Sequence, residues 1–208
     1  MKSNFLSKVS SFLLLASSIL GLGSGTAHAA SIISNGGFEA GNFTGWSASG
    51  NVSIQKPGPT TALCCETSEG LFYLNFNGGN QVTNGQVFQV LATEIGTSYL
   101  LGFDFGKGGG AVGTAALNVA VEGNSSLLST TVSDSTGGFP GEYSNFQFSF
   151  TADSSNTVLT FSDASDGTID FDALLDNVTV EAEPVSEPFT ILVTGLVGFG
   201  LMLKKRTI

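Results

Sequence analysis

Asn145-Phe146-Gln147-Phe148-Ser149-Phe150 alternates amide or hydroxyl side chains with aromatic rings. A strand sends successive side chains to opposite faces, so the three rings point one way and Asn145, Gln147 and Ser149 the other. Tyr143 shares the parity of the polar set. Helical spacing would spread the rings around an axis instead of gathering them on one side. The stretch reads as a strand with one buried face. Val119-x-Val121 and Val178-x-Val180 repeat the period. In residues 71–76, turning Phe72, Leu74 and Phe76 inward leaves Tyr73 and Asn75 facing out.

Similar short runs at 52–54, 86–91, 98–105, 118–122, 127–132, 157–162 and 175–181 are separated by Gly, Asn, Ser and Asp turns. No run of ten or more residues between them carries helical periodicity. Regular short strands with polar turns predict an all-β, antiparallel β-sandwich. Aromatic and β-branched side chains suit its core.

Two loops interrupt the pattern. Residues 56–70 hold the adjacent Cys64 and Cys65. A neighbouring pair cannot staple distant segments to each other. A strained vicinal disulfide, intermolecular pairing and two plain loop thiols all stay open. Residues 106–113 hold five glycines around Lys107. Lys107-Gly108-Gly109-Gly110 has the composition of a phosphate cradle but neither P-loop nor dinucleotide spacing, so a flexible turn is expected.

The two ends have a different character. Lys2 and Lys8 precede an apolar run at 12–22, and Ala27-His28-Ala29 offers a small-x-small cleavage site. That is the layout of a signal peptide, residues 1–29. At the other end, Val185-Ser186-Glu187-Pro188 precedes 15 uncharged residues, 189–203, and then Lys204-Lys205-Arg206. A 15-residue helix spans roughly 22 Å, short of the roughly 30 Å hydrocarbon core, so 189–208 reads as a thin transmembrane span with a cytoplasmic basic tail. Residues 181–188 form an acidic, proline-containing linker and motif.

Between the ends, residues 30–183 carry sixteen Asp/Glu against Lys56 and Lys107, a formal charge of −14. That surface repels nucleic acid and acidic membranes, and tolerates neutral glycans and divalent cations. The single histidine, His28, lies in the signal. The mature chain thus has no imidazole for a Ser-His-Asp or Cys-His centre or a histidine-bearing zinc site. Acidic residues are plentiful, but nothing marks one pair for glycoside hydrolysis, so no enzyme is expected.

The proline-bearing motif, apolar span and terminal basic cluster together resemble the PEP-CTERM sorting signal of bacterial exported proteins. Ser186 replaces that family's first proline. The resemblance implies processing by an exosortase-like membrane enzyme, transient anchoring in the inner membrane, and a final place at the cell surface or outside. Within the domain, Asn35-Gly36-Gly37-Phe38-Glu39, then Gly45-Trp46, and the closing Leu175-Asp176-Asn177-Val178-Thr179-Val180 resemble the galactose-binding-like jelly roll of carbohydrate-binding modules.

That second resemblance implies a jelly-roll domain over residues 30–180 whose first and last strands lie close. It also implies a structural Ca²⁺ beside them, with Glu39 and Asp176 as carboxylate ligands. Ca²⁺ takes six to eight oxygens, about what two carboxylates and nearby carbonyls supply. Asp163, Asp166, Asp170 and Asp172 are further acidic residues without EF-hand spacing. Trp46 is expected to pack on the first strands. Tyr73, Asn75, Tyr143, Asn145 and Gln147 are the candidate polysaccharide contacts, because tyrosine and amides match the CH faces and hydroxyls of sugars. They also match any solvated β-face. The expected function is non-enzymatic association with extracellular or cell-surface polysaccharide. The alternative is a structural matrix or adhesion protein working through protein contacts, and behind it a glycan hydrolase.

Overall fold

The structure is a computed structural model that describes residues 29–58, 66–76, 78, 82–136, 142–167 and 169–184. The signal segment with Ala27, the Cys64-Cys65 pair, the motif Val185-Ser186-Glu187-Pro188, the apolar span and Lys204-Lys205-Arg206 lie outside the described residues. Ala29 is described, as irregular chain.

Ten strands form two antiparallel sheets: β1 (Ser47–Ser49), β2 (Val52–Gln55), β3 (Tyr73–Phe76), β4 (Gln86–Ala92), β5 (Ser98–Gly109), β6 (Ala115–Glu122), β7 (Ser126–Asp134), β8 (Glu142–Thr151), β9 (Asn156–Asp163) and β10 (Phe171–Ala182). The first sheet has the order β1-β4-β9-β6-β7, the second β2-β3-β10-β5-β8. Among these strands only β2–β3 and β6–β7 are successive and paired; every other connection changes sheet. Each of the nine expected runs is a strand. The very short β1 has no sequence signal.

The sandwich expectation holds because the alternation does. Val87 and Leu91 of β4, Leu159 and Phe161 of β9, and Leu117, Val119 and Val121 of β6 are buried on the inner face of the first sheet. Leu101, Phe103 and Phe105 of β5 and Leu175, Val178 and Val180 of β10 meet them from the second. Phe103 is the hub: Phe146 and Phe148 of β8 stack on it at 5.7 and 6.1 Å, and Phe161 meets its edge at 5.1 Å. Burying such rings is worth roughly 1.5–3 kcal/mol each by area alone.

One expectation is corrected. The glycine-rich stretch is no loop over its first half, because β5 runs to Gly109. A Cβ on Gly106 would lie 2.1 Å from the Glu142 carbonyl oxygen, so glycine there permits close strand pairing, not flexibility. Lys107, as its spacing implied, is no phosphate ligand. It is 2 % exposed, its ammonium donates to the Ala111 carbonyl at 2.8 Å, and it sits 5.1 Å from the Phe171 ring centre.

The opening and closing motifs do lie together. The Val178 N–H donates to the Gly36 carbonyl at 3.0 Å, and a Cβ on Gly36 would come within 1.9 Å of the Val178 carbonyl oxygen. Asn35, with φ 55°, donates its amide to the Asn42 and Thr44 carbonyls and accepts from the Ala40 N–H. Trp46 packs in the core, 5.7 Å from Phe38 and 6.3 Å from Phe161, its indole N–H donating to the Asn35 carbonyl.

Candidate functional site

The outer face of the second sheet collects every sequence-predicted sugar contact. Register places Tyr143 of β8 opposite Gly106 of β5 and Leu174 of β10, then opposite Asn75 of β3. One step along, Asn145, Asp104 and Asp176 are aligned, and Gln147 faces Gly102 and Thr179 beyond them. Side-chain parity, read from the aromatic ladder of β8, therefore holds across four strands.

Exposure splits the set. Asn145 and Gln147 are exposed. Tyr73 and Asn75 face outward as expected but are 0 and 1 % exposed, so neither offers a surface to a ligand in this arrangement. Residues 66–72 lie over that end of the face. The Ser68 and Glu69 N–H groups donate to Asp176 Oδ2 at 2.9 and 3.1 Å, and the Tyr143 hydroxyl donates to the Glu66 carbonyl at 2.9 Å. Tyr143 also packs against Tyr73 and Leu174. To reach them its ring crosses β5 where Gly106 has no side chain. Burial, with Asp172 nearby, pushes the Tyr73 phenol up to about 12. Burial, then Asp176, Tyr73 and Asp104, push Tyr143 up as well. Both phenols stay neutral donors.

Glu39 and Asp176 prove to be clamps on that same segment. Glu39 Oε1 accepts the Leu71 and Phe72 N–H groups, each at 2.8 Å. Asp176, fully buried, accepts Ser68 and Glu69 on one oxygen and its neighbour Asn177 N–H on the other. N–H dipoles aimed at these oxygens oppose a cation, so the pair as placed does not fit a Ca²⁺ cradle. Among the described residues, no three His, Cys, Asp or Glu side chains gather to hold a metal. Burial outweighs those hydrogen bonds and raises Asp176 to about 6. The acidic run is dispersed too. Asp163 caps the Ser165 N–H, Asp166 accepts the Thr114 N–H, and Asp172 accepts the Asn75 amide.

Past the covered end the face is open, and here lie the residues that sequence reasoning missed. Asp104 is half-buried between two amides: Asn145 donates to Oδ1 at 2.8 Å and Asn177 to Oδ2 at 3.1 Å. Asn177 sits at a register shift in β10 with φ 51°. A bulge re-aims a side chain, and a non-glycine residue in left-handed conformation marks strain held for a purpose. Beyond this triad Gly102 is buried between Gln147 and Thr179, whose hydroxyl stands over it and donates to its carbonyl at 3.5 Å. Further along, Leu100, Glu181, Ala182, Glu183 and Pro184 line a hollow of about 360 Å³. Strand parity at 100–105 puts Gly102 and Asp104 opposite the core set, a legible signal. Their meeting with Asn145 and Asn177 depends on pairing and on a bulge, which periodicity does not encode.

An open trough lined by amides, a hydroxyl and one fixed carboxylate suits hydroxyl-rich ligands. Residues 30–165 match the family model described as a carbohydrate binding domain. The chain belongs to that family. Among solved structures this carbohydrate-binding domain is similar to TmCBM61 in complex with β-1,4-galactotriose. The TM-score is 0.55 at 21% identity, over 74% of this chain and 99% of that one. It also resembles part of the enzymatically active domain of tailspike protein 4 of bacteriophage CBA120 (TM-score 0.50, 13% identity, 74% of this chain and 21% of that one). A third likeness is to part of the arabinose-bound α-L-arabinofuranosidase MgGH51 (TM-score 0.50, 14% identity, 74% and 27%). At such identities the likeness is one of fold. A search of curated proteins finds no match.

Proposed function

We propose that the domain holds a polysaccharide chain in the open trough of the second sheet, without cleaving it. Asp104, Asn145, Asn177, Gln147 and Thr179 would make the polar contacts. The observation that carries this reading is the Asn145–Asp104–Asn177 triad. It spans three adjacent strands of a carbohydrate-binding domain, with a strained asparagine holding one side. Planar amides and carboxylates match pairs of sugar hydroxyls, and the fixed geometry lowers the ordering cost of binding. Tyr143, Tyr73 and Asn75 support the trough from under residues 66–72 and do not touch the ligand.

The fuller setting rests on sequence alone. A signal peptide at 1–29 exports the chain, the jelly-roll domain lies outside, and the PEP-CTERM-like tail anchors it until an exosortase-like enzyme releases it. Structural Ca²⁺ belongs to this reading only if residues 66–72 give up Glu39 and Asp176. Calorimetry of the purified protein against a polysaccharide panel, with Ca²⁺ and with chelator, tests the whole. Saturable binding that is lost in Asp104→Ala supports the trough. A panel without binding would turn attention to the matrix or adhesion reading, which Phe88 and Val90 favour, being 36 and 57 % exposed on the outer face of the first sheet.

A further inference from the structure

We propose that β8 is the seam of a symmetric dimer, in which a second copy of this chain adds its own β8 antiparallel across a two-fold axis. Among the described residues the outer strands of the two sheets are β1, β7, β2 and β8. β1 and β2 are three and four residues long, too short to template a partner. β7 has nine residues and a register shift beside its start, at Val121/Glu122. β8 has ten residues and pairs with β5 along all of them without a shift. It holds no Pro and no Lys, and its one charge, Glu142, is its first residue. Sheets blunt their edges with short strands, bulges, Pro and charged side chains, and beyond Glu142 the β8 edge has none of these.

The free edge can be read residue by residue. The Ala152 N–H donates to the Thr97 carbonyl at 3.0 Å, continuing the β5 ladder past the end of β8. Backbone groups alternate sides along an antiparallel strand, so those of the even-numbered residues turn to β5. Those of Tyr143, Asn145, Gln147, Ser149 and Thr151 turn outward, where no described strand pairs with them. Phe146 and Phe148 are only partly buried, since no described strand beyond β8 completes the core over them. An identical strand meets both needs. With Gln147 on the two-fold, Asn145 of one copy faces Ser149 of the other, and Tyr143 faces Thr151, all at outward-turned, hydrogen-bonding positions. Between them Phe146 of one copy faces Phe148 of the other on the core side, a stabilising aromatic cross-strand pair. The two Glu142 carboxylates fall at opposite ends, so no like charges meet. This self-complementarity selects a second copy over an unrelated strand. The axis stands perpendicular to the sheet, so both troughs open on one side. The pairing itself does not depend on the polysaccharide reading; on that reading it gives one polymer two grips.

The test is sedimentation velocity of the purified full chain at rising concentration, with Gln147→Lys and Gln147→Glu beside it. Wild type should pass from monomer to dimer. The Gln147 side chain is exposed, so either change leaves the monomer's packing alone, and circular dichroism checks that both variants fold. Each variant sets like charges face to face on the axis and should weaken the dimer by about tenfold or more. Mixed in equal amounts, the two variants set opposite charges face to face, and dimerisation should return to within about threefold of wild type. A wild type that stays monomeric at every concentration would overturn the inference and leave the edge to a strand of another protein. A dimer that both variants leave intact would place the contact on another surface and overturn it too. Variants that stay monomeric when mixed would overturn the pairing about Gln147.

Discussion

The two outer faces of the sandwich are built by the same chain from strands of the same antiparallel kind, yet they differ in kind. The first sheet turns Phe88 and Val90 to solvent, among small hydroxyl side chains that pair locally, as Gln86 with Ser162 and Thr131 with Asn118. No non-glycine residue of its strands has a left-handed backbone; its own register shift, at Val121/Glu122, and the orphaned Asp163 Oδ2 lie at strand ends. The second sheet carries the buried carboxylate Asp176, the left-handed Asn177, a register shift and the orphaned Asn75 oxygen. Each feature costs free energy that a solvated β-face has no reason to spend. Concentration of such costs on one face locates function better than polarity does, since both faces are polar.

The largest expected effect tests whether Asp176 is such a cost. Its folded pKa of about 6 lies above the ordinary 3.8. The folded state therefore binds the proton more tightly than the unfolded chain does. The contribution to stability is fully present below the ordinary value and is lost as pH rises through 6, a change of about 3 kcal/mol. Asp176→Asn cannot titrate. Urea unfolding from pH 4 to 7 should show wild type losing about 2 kcal/mol relative to the variant, the rest having gone below pH 4. Parallel curves would mean the buried carboxylate carries no penalty.

Next in size is the contrast in binding. Asp104→Ala should cost about 2 kcal/mol of glycan affinity, roughly thirtyfold, because it removes a charged acceptor at the centre of the contact. Phe88→Ala, on the other face, should change affinity by less than about twofold. Equal losses, or a larger one for Phe88→Ala, would move the site to the first sheet. Asn177→Gly is subtler. Glycine relieves the left-handed backbone but forfeits the bond to Asp104, so unfolding free energy should stay within about 1 kcal/mol of wild type. Affinity should still fall severalfold. A stabilised variant with undiminished affinity would make the strain incidental.

The sequence made one layer of this visible. Alternation in Phe146-Gln147-Phe148 and in Leu74-Asn75-Phe76 assigns faces correctly, because parity is a local property. The Asn35 to Trp46 motif and the Asp176 to Val180 motif were legible as a pair, and they do pack together. Their role was not: the glycines, Asn35 and Glu39 shape and pin backbone, and Glu39 and Asp176 hold residues 66–72. Exposure of Tyr73 and Asn75 was misjudged because a segment joined to the same strand folds back over it. The Asp104 triad was invisible because register and a bulge set it. Even Gly106 misled, since glycine permits both a turn and a close approach, and only the Glu142 carbonyl beside it decides which.

Tyr143 offers the smallest test and the one closest to the boundary between cover and trough. Its ring is fixed by Leu174 and Tyr73, while its hydroxyl alone reaches the Glu66 carbonyl. Tyr143→Phe keeps the ring and deletes that single bond, so stability should drop by about 0.5–1.5 kcal/mol. The Asp104 triad lies one register step away and shares no atom with the lost bond. Glycan affinity should therefore change by less than about twofold, while exchange of the Ser68 and Glu69 amide protons quickens as their segment loosens. An affinity that rises instead would show that residues 66–72 compete with the ligand for the face. The trough would then extend beneath them, toward Tyr73 and Asn75, as strand parity alone suggests.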